Sequence, residues 1–170
     1  MNNRVQPFSI ENARIGFRNF VGAEGQFNPK GQRNFCVFID TPLAETLERD
    51  GWNVRWLEPR DEAEGRQAYL PVKVSFDNVP PKIMLITSRN KTLLEEEDVK
   101  MLDYAEISNV DLIINPYVWE IKGKGNTPDK SGIKAYVKSM YVTLVEDEFE
   151  SKYYEVPDSA INTIKGADAN

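Results

Sequence analysis

Lys134, Tyr136 and Lys138 occupy alternating positions in the segment GIKAYVKSMYVTL. Successive side chains of a strand point to opposite faces, so these three share one face. Two ammonium groups flanking a ring can neutralise phosphates while the ring offers a base a stacking surface, the requirement of single-stranded nucleic acid. Upstream, Tyr117, Trp119 and Ile121 alternate in the same way, and Lys122 and Lys124 follow at once. Between Leu112 and Met140 five lysines stand against Glu120 and Asp129, so this segment is net +3 in a chain that is net −6. The same spacing also fits ordinary strand aromatics edged by solvated lysines.

Other basic and aromatic side chains extend the candidate set. In SIENARIGFRNF alternation puts Arg14 and Arg18 on one face with Gly16, opposite Ala13, Ile15 and Phe17. The glycine-rich VGAEGQFNPKGQ carries Phe27, Asn28 and Lys30 on a loop that can wrap a nucleic-acid strand or simply turn. Arg33 opens the run RNFCVFID, and Lys73 shares the polar side of a strand with Tyr69, Pro71 and Ser75.

Several chemistries are excluded. With no histidine there is no Ser-His-Asp or Cys-His arrangement and no His-containing zinc site. The single cysteine, Cys36, forms no internal disulfide and is expected as a packed core thiol. A metal enzyme would need grouped carboxylates, and Glu95 to Asp98 is the obvious run, yet adjacent acids point in different directions and usually form a solvated face. No apolar run approaches a membrane span, and the start MNNRVQPFS lacks the apolar centre of a signal peptide. Net negative charge argues against a nucleic-acid partner until its distribution is considered. The acids are blocked together: seven between Glu45 and Glu64, the run Glu95 to Asp98, and Glu146, Asp147, Glu148 and Glu150.

The elements that position these residues follow from pattern and punctuation. Residues 110 to 121 and 132 to 145 are rich in β-branched and aromatic types, separated by Gly, Lys, Asn, Pro and Asp, which predicts a long hairpin. In its second strand Met140, Val142 and Leu144 are expected on the face of Tyr136, with Ile133, Ala135, Val137, Ser139 and Tyr141 opposite. Residues 33 to 40 read as a buried strand. TPLAETLERDG reads as a helix capped by Thr41, with Pro42 in its first turn and Gly51 ending it. Strands are expected over 52 to 57, 69 to 76 and 82 to 88, with a charged loop over 58 to 68. The acidic segment after Leu93 reads as a helical turn or two, with Val99 and Leu102 inward. Short strands, turn-rich loops and one or two short helices make the chain mainly β, and an OB-like β-barrel suits 170 residues.

The blocks RIGFRNF, FNPKGQRNFCVFID, DGWNVRWL, PPKI, VDLIINPYVWE and GIKAYVKSMYVTL resemble the single-stranded DNA-binding proteins of tailed bacteriophages, small OB-fold proteins of replication modules. The similarity runs from about Ile10 to Tyr153. It implies an OB-like single-stranded DNA-binding domain over 1–150 and a C-terminal tail over 151–170. It further implies a partner in single-stranded DNA, no catalysis, no cofactor, and a place of action in the cytoplasm of the infected bacterial host. Phage replication or recombination proteins, and a second copy of this chain, are the further partners left open. Many such proteins end in an acidic tail with a terminal aromatic, whereas this chain ends IKGADAN with Asp168 alone, a departure that counts against recruitment through that tail. A rival reading is a phage structural or partner-binding protein with no nucleic-acid role, in which Trp52, Trp56 and Trp119 form an interface.

Overall fold

A computed structural model describes residues 5–61, 65–77 and 79–146. The expected tail over 151–170, and the acids Glu62, Glu64, Asp147, Glu148 and Glu150, lie outside them. Nine strands are present: β1 (Phe8–Ile10), β2 (Arg14–Asn19), β3 (Arg33–Ile39), β4 (Arg55–Leu57), β5 (Gln67–Val74), β6 (Lys82–Ile86), β7 (Lys91–Leu94), β8 (Ile107–Ile121) and β9 (Lys130–Leu144). One helix, α1 (Thr41–Asp50), and a 3₁₀ turn, Val99–Asp103, complete the described elements.

The sheet is mixed, with order β1-β8-β9-β5-β3-β2. β4 adds to β5, and β6 joins β7 to β9. Most pairs are antiparallel, but β9 runs parallel to β5 and β6. The architecture is OB-like, but its ladders do not close into the expected barrel. The two ends of the order, β1 and β2, are consecutive in the chain and are separated by a break at Glu11–Ala13. There Asn12 takes a φ of 53° and its N–H donates to Asp111 Oδ1, which ends the strand. Ala13 N–H still reaches Val110 O at 2.7 Å, so β2 sets out from the flank of β8.

Alternation decides the core. Phe35, Val37 and Ile39 of β3, Leu70, Val72 and Val74 of β5, and Val110, Leu112 and Ile114 of β8 all point inward and are buried. Phe20 stacks on Phe35 with centroids 5.2 Å apart. β3 is therefore buried on one face only: Asn34, Cys36 and Phe38 are half-exposed on the outer side. Cys36 belongs to that outer side rather than to the core, and burial there pushes its thiol pKa up to about 11. Trp52 lies in the core, edge-on to Phe8, while Trp56 donates to Glu48 Oε2 and is covered by Arg66. Burial removes Trp52 from any surface formed with Trp56 and Trp119.

The cap of helix α1 lies one residue earlier than expected: Asp40, not Thr41, accepts from the N–H of Leu43 at 2.9 Å. Gly51 closes it at a φ of 103°, a conformation glycine adopts without penalty. Val99 and Leu102 are buried as expected, and β7 is a strand the sequence reading did not include. Among the described residues no helix is long and apolar enough to cross a membrane.

Candidate nucleic-acid interface

The hairpin places its aromatics by strict pairing. Tyr117 lies opposite Lys134, Asn115 opposite Tyr136, and Trp119 opposite Gly132. Directly paired residues project to the same face, so Tyr117, Trp119, Lys134 and Tyr136 share the outer one. The rings of Tyr117 and Tyr136 meet edge to face, with centroids 6.0 Å apart. Trp119 lies across the backbone of Gly132, where an added Cβ would come within 2.9 Å of the indole. Glycine at this point lets the ring lie close to the hairpin.

The far end of β9 departs from the expected alternation. Ile113 pairs with Ser139 but Ile114 pairs with Val137, so Lys138 is the extra residue of a β-bulge. The bulge reverses the side-chain parity. Met140 and Val142 turn inward to join Ile133, Ala135 and Val137 in the core, and Tyr141 comes to the outer face with Tyr136. The expectation that Met140, Val142 and Leu144 continue the face of Tyr136, with Tyr141 opposite, is corrected by this single residue.

A second bulge reorganises β2. Its register with β3 shifts between Gly16 and Asn19, and Phe17 adopts a φ of 48°. Phe17 is thereby turned outward, 59% exposed, and away from the Ala13 and Ile15 face it was expected to share. It packs with Phe38 and Tyr69 at centroid distances of 6.1 and 5.6 Å. Arg14 lies over Phe38, and Gly16 leaves room for that ring, since a Cβ there would come within 2.7 Å of it. Arg18 is turned the other way. Its Nη1 donates to Leu102 O and Ala105 O, both at 2.8 Å, so it fastens β2 to the 3₁₀ turn, while still lining one recess with Arg14 and Phe38. Phe17, Phe38 and Tyr69 are the members the sequence reading did not single out. A left-handed phenylalanine has no composition signal, and Phe38 is hidden because residues 33 to 40, apolar on both faces, read as a fully buried strand.

Between these two aromatic groups lie the cations. Lys73 pairs with Asn34 on one side and with Tyr136 on the other. Burial, and then the charge of Lys134, hold the Lys73 ammonium below its ordinary lysine pKa. Arg33 sits over Phe76 at 5.8 Å and pairs with Glu96 at 3.1 Å. A recess of about 170 Å³ is lined by Arg33, Lys73, Phe76, Glu96 and Tyr136, among others. A wider one of about 450 Å³ lies on the other side of Tyr136, against Tyr117, Lys138 and Pro80–Pro81. Tyr136 thus lines both recesses, the first with Arg33, Lys73 and Glu96 and the second with Lys138, and Asp77 is common to the two.

The remaining predicted residues lie apart. Phe27 is 91% exposed and Lys30 is also exposed, on a loop fixed by Asn28, whose amide donates to Ala23 O, Pro29 O and Gln32 O. The loop reaches the first recess only through Gly31 and Gln32. Lys122 and Lys124 are at the hairpin tip and line neither recess. The acidic run is not simply solvated, since Glu96 faces Arg33 and Asp98 accepts from the N–H of Glu95. Among the described residues no group of three or more Cys, Asp or Glu side chains is placed to hold a metal.

Rings spaced among cations on the outer face of an OB-like sheet are the pattern that a stacking nucleic-acid interface requires, which makes this face the candidate. The chain belongs to the family described as "Putative phage ssDNA-binding domain", which matches residues 1–170. No curated protein matches it in sequence. Among solved structures it is similar to the single-stranded DNA-binding protein from bacteriophage Enc34 in complex with ssDNA, at 9% identity and a TM-score of 0.49, over 84% of this chain and 88% of that one. A structure of the same Enc34 protein described without DNA gives 10% identity and a TM-score of 0.47, over 84% and 83%.

Proposed function

We propose that this chain binds single-stranded DNA on the outer sheet face, without strong sequence preference, during phage replication and recombination in the infected host's cytoplasm. Its role is binding, with no catalytic step and no cofactor. The observation that supports this best is the placement of Tyr136: it touches Tyr117, adjoins Lys73 and lines both recesses. A stacked base and its flanking phosphates fit that arrangement, and stacking tolerates any base because every base has a π-face. The path then runs from Tyr117 and Tyr136 past Lys134 and Lys73 towards Phe17, Phe38 and Tyr69.

The test is filter binding of oligo-dT against duplex of equal length at two salt concentrations, with wild type and Tyr136→Ala. Salt-sensitive preference for the single strand is expected. The variant should lose about 1–3 kcal/mol of binding. Equal affinity for the two substrates, or an unaltered variant, would overturn the reading.

A further inference from the structure

The recess between β3, β5 and the segment after β7 holds an ion pair with an unusual remainder. Arg33 is tethered to Glu96 through Nη1 alone, at 3.1 Å, and its side chain is only 21% exposed. Its Nε is buried and finds no hydrogen-bond partner. A guanidinium offers five donors in a fork that matches the paired oxygens of a phosphate, and here the Nε–H donor is unused. Lys73 lines the same recess, and Lys134 is close enough to repel its charge. One ammonium group and a guanidinium with an unpaired Nε–H thus line the recess beside the carboxylates of Glu96 and Asp77, with Lys134 near Lys73. Glu96 itself is 54% exposed, free to leave at small cost.

We infer that this recess is a seat for one backbone phosphate of the bound strand, and that Glu96 is its built-in competitor, displaced from Arg33 when the phosphate enters. The inference rests on the single-stranded DNA reading above and adds to it a defined register point: the phosphate on Arg33 and Lys73 belongs to a nucleotide whose base is next to Tyr136. It also assigns the acidic run a role. Glu96 lowers affinity for isolated anions, which cannot recover the lost ion pair through neighbouring stacking contacts, and so favours a polymer over free phosphate.

The experiment is a double-mutant cycle with fluorescence anisotropy of labelled oligo-dT, using wild type, Glu96→Gln, Glu97→Gln, Arg33→Met and Glu96→Gln/Arg33→Met. Removing the competitor should tighten binding about 2- to 5-fold, the range that corresponds to releasing a partly exposed ion pair. Arg33→Met should weaken binding and reduce the salt slope by about 0.7. In the Arg33→Met background Glu96→Gln should add nothing. General electrostatics predicts otherwise: Glu97→Gln, at an exposed neighbouring acid, would match Glu96→Gln, and the gain would persist without Arg33. Either result overturns the seat while leaving single-strand binding intact. Absence of salt-sensitive oligo-dT binding by wild type would instead overturn the underlying reading, and the seat with it. Arg33→Lys, which retains a charge but not the fork, replaces Arg33→Met in the cycle if loss of packing on Phe76 prevents folding.

Discussion

Lys73, placed on the proposed DNA path, is a residue whose burial works against its own charge. Burial and the nearby Lys134 lower its pKa in the folded state relative to the unfolded chain. The unfolded state therefore binds the proton more tightly, and stability rises with pH through the alkaline range. The cost of the charged lysine is fully present below the folded-state pKa and vanishes as pH approaches the ordinary lysine value. Lys73→Met should accordingly melt at or above wild type near pH ~7, with the difference shrinking by pH ~10, as followed by thermal melts across that range. Its affinity for oligo-dT should fall, because the proposed path brings a phosphate to the cation that is costly to bury. A variant less stable than wild type at neutral pH, or a difference that widens as pH rises, would show that burial of this ammonium is not the controlling effect. Phe17 is a comparable case of local cost, since a non-glycine residue held at positive φ is strained by about 1–3 kcal/mol, and the strain places a ring outward beside Phe38 and Tyr69.

At the scale of elements, two bulges set which residues meet. The bulge in β2 separates Arg14 from Arg18, which an unbroken strand would hold on one face. Arg18 then fastens the 3₁₀ turn through two carbonyls. Hydrogen bonds from a charged donor contribute about 1.5–3 kcal/mol, so Arg18→Ala should lose at least that much stability in urea titration. Its folded form should bind oligo-dT within about twofold of wild type, a difference that corresponds to roughly 0.4 kcal/mol. A large loss of affinity without loss of stability would return Arg18 to the interface. The hairpin offers a second test. Gly132→Ala puts a methyl group where the Trp119 ring lies, so the indole must lift from the strand. A changed near-ultraviolet circular dichroism signal with weaker DNA binding is expected. An unchanged spectrum would mean that the contact is not maintained in solution.

For the whole molecule, charge segregation lets an acidic chain present a cationic surface. The sequence is net −6, yet Arg33, Lys73, Lys134 and Lys138 gather around Tyr136 or its two recesses. Long-range attraction is consequently weak, and affinity depends on short-range contacts that salt screens steeply. Replacing Lys134 and Lys138 together by alanine should reduce the salt slope by about 1.4, at about 0.7 per single-strand phosphate contact. Oligo-dT titrations at three or more salt concentrations measure this, with melting as the control for fold. An intact protein with an unaltered slope would exclude the hairpin face from the contact.

Local pattern determined much of this protein: the mainly β class, the long hairpin, the buried side of β5, and the pairing of basic with aromatic side chains around Tyr136. Those features follow from the two-residue period of strands and from turn chemistry, which are written within a few residues of each position. Three further matters depended on tertiary packing. Lys138 and Phe17 become bulge positions only when a partner strand fixes the count of residues opposite them. Arg18 becomes a structural clamp because carbonyls more than eighty residues away are brought to it. Arg33, Lys73 and Glu96 form one recess because β3, β5 and the turn after β7 fold against each other. A bulge changes side-chain parity without requiring a distinctive residue, so the alternation that located the hairpin could not by itself locate the point where its faces exchange.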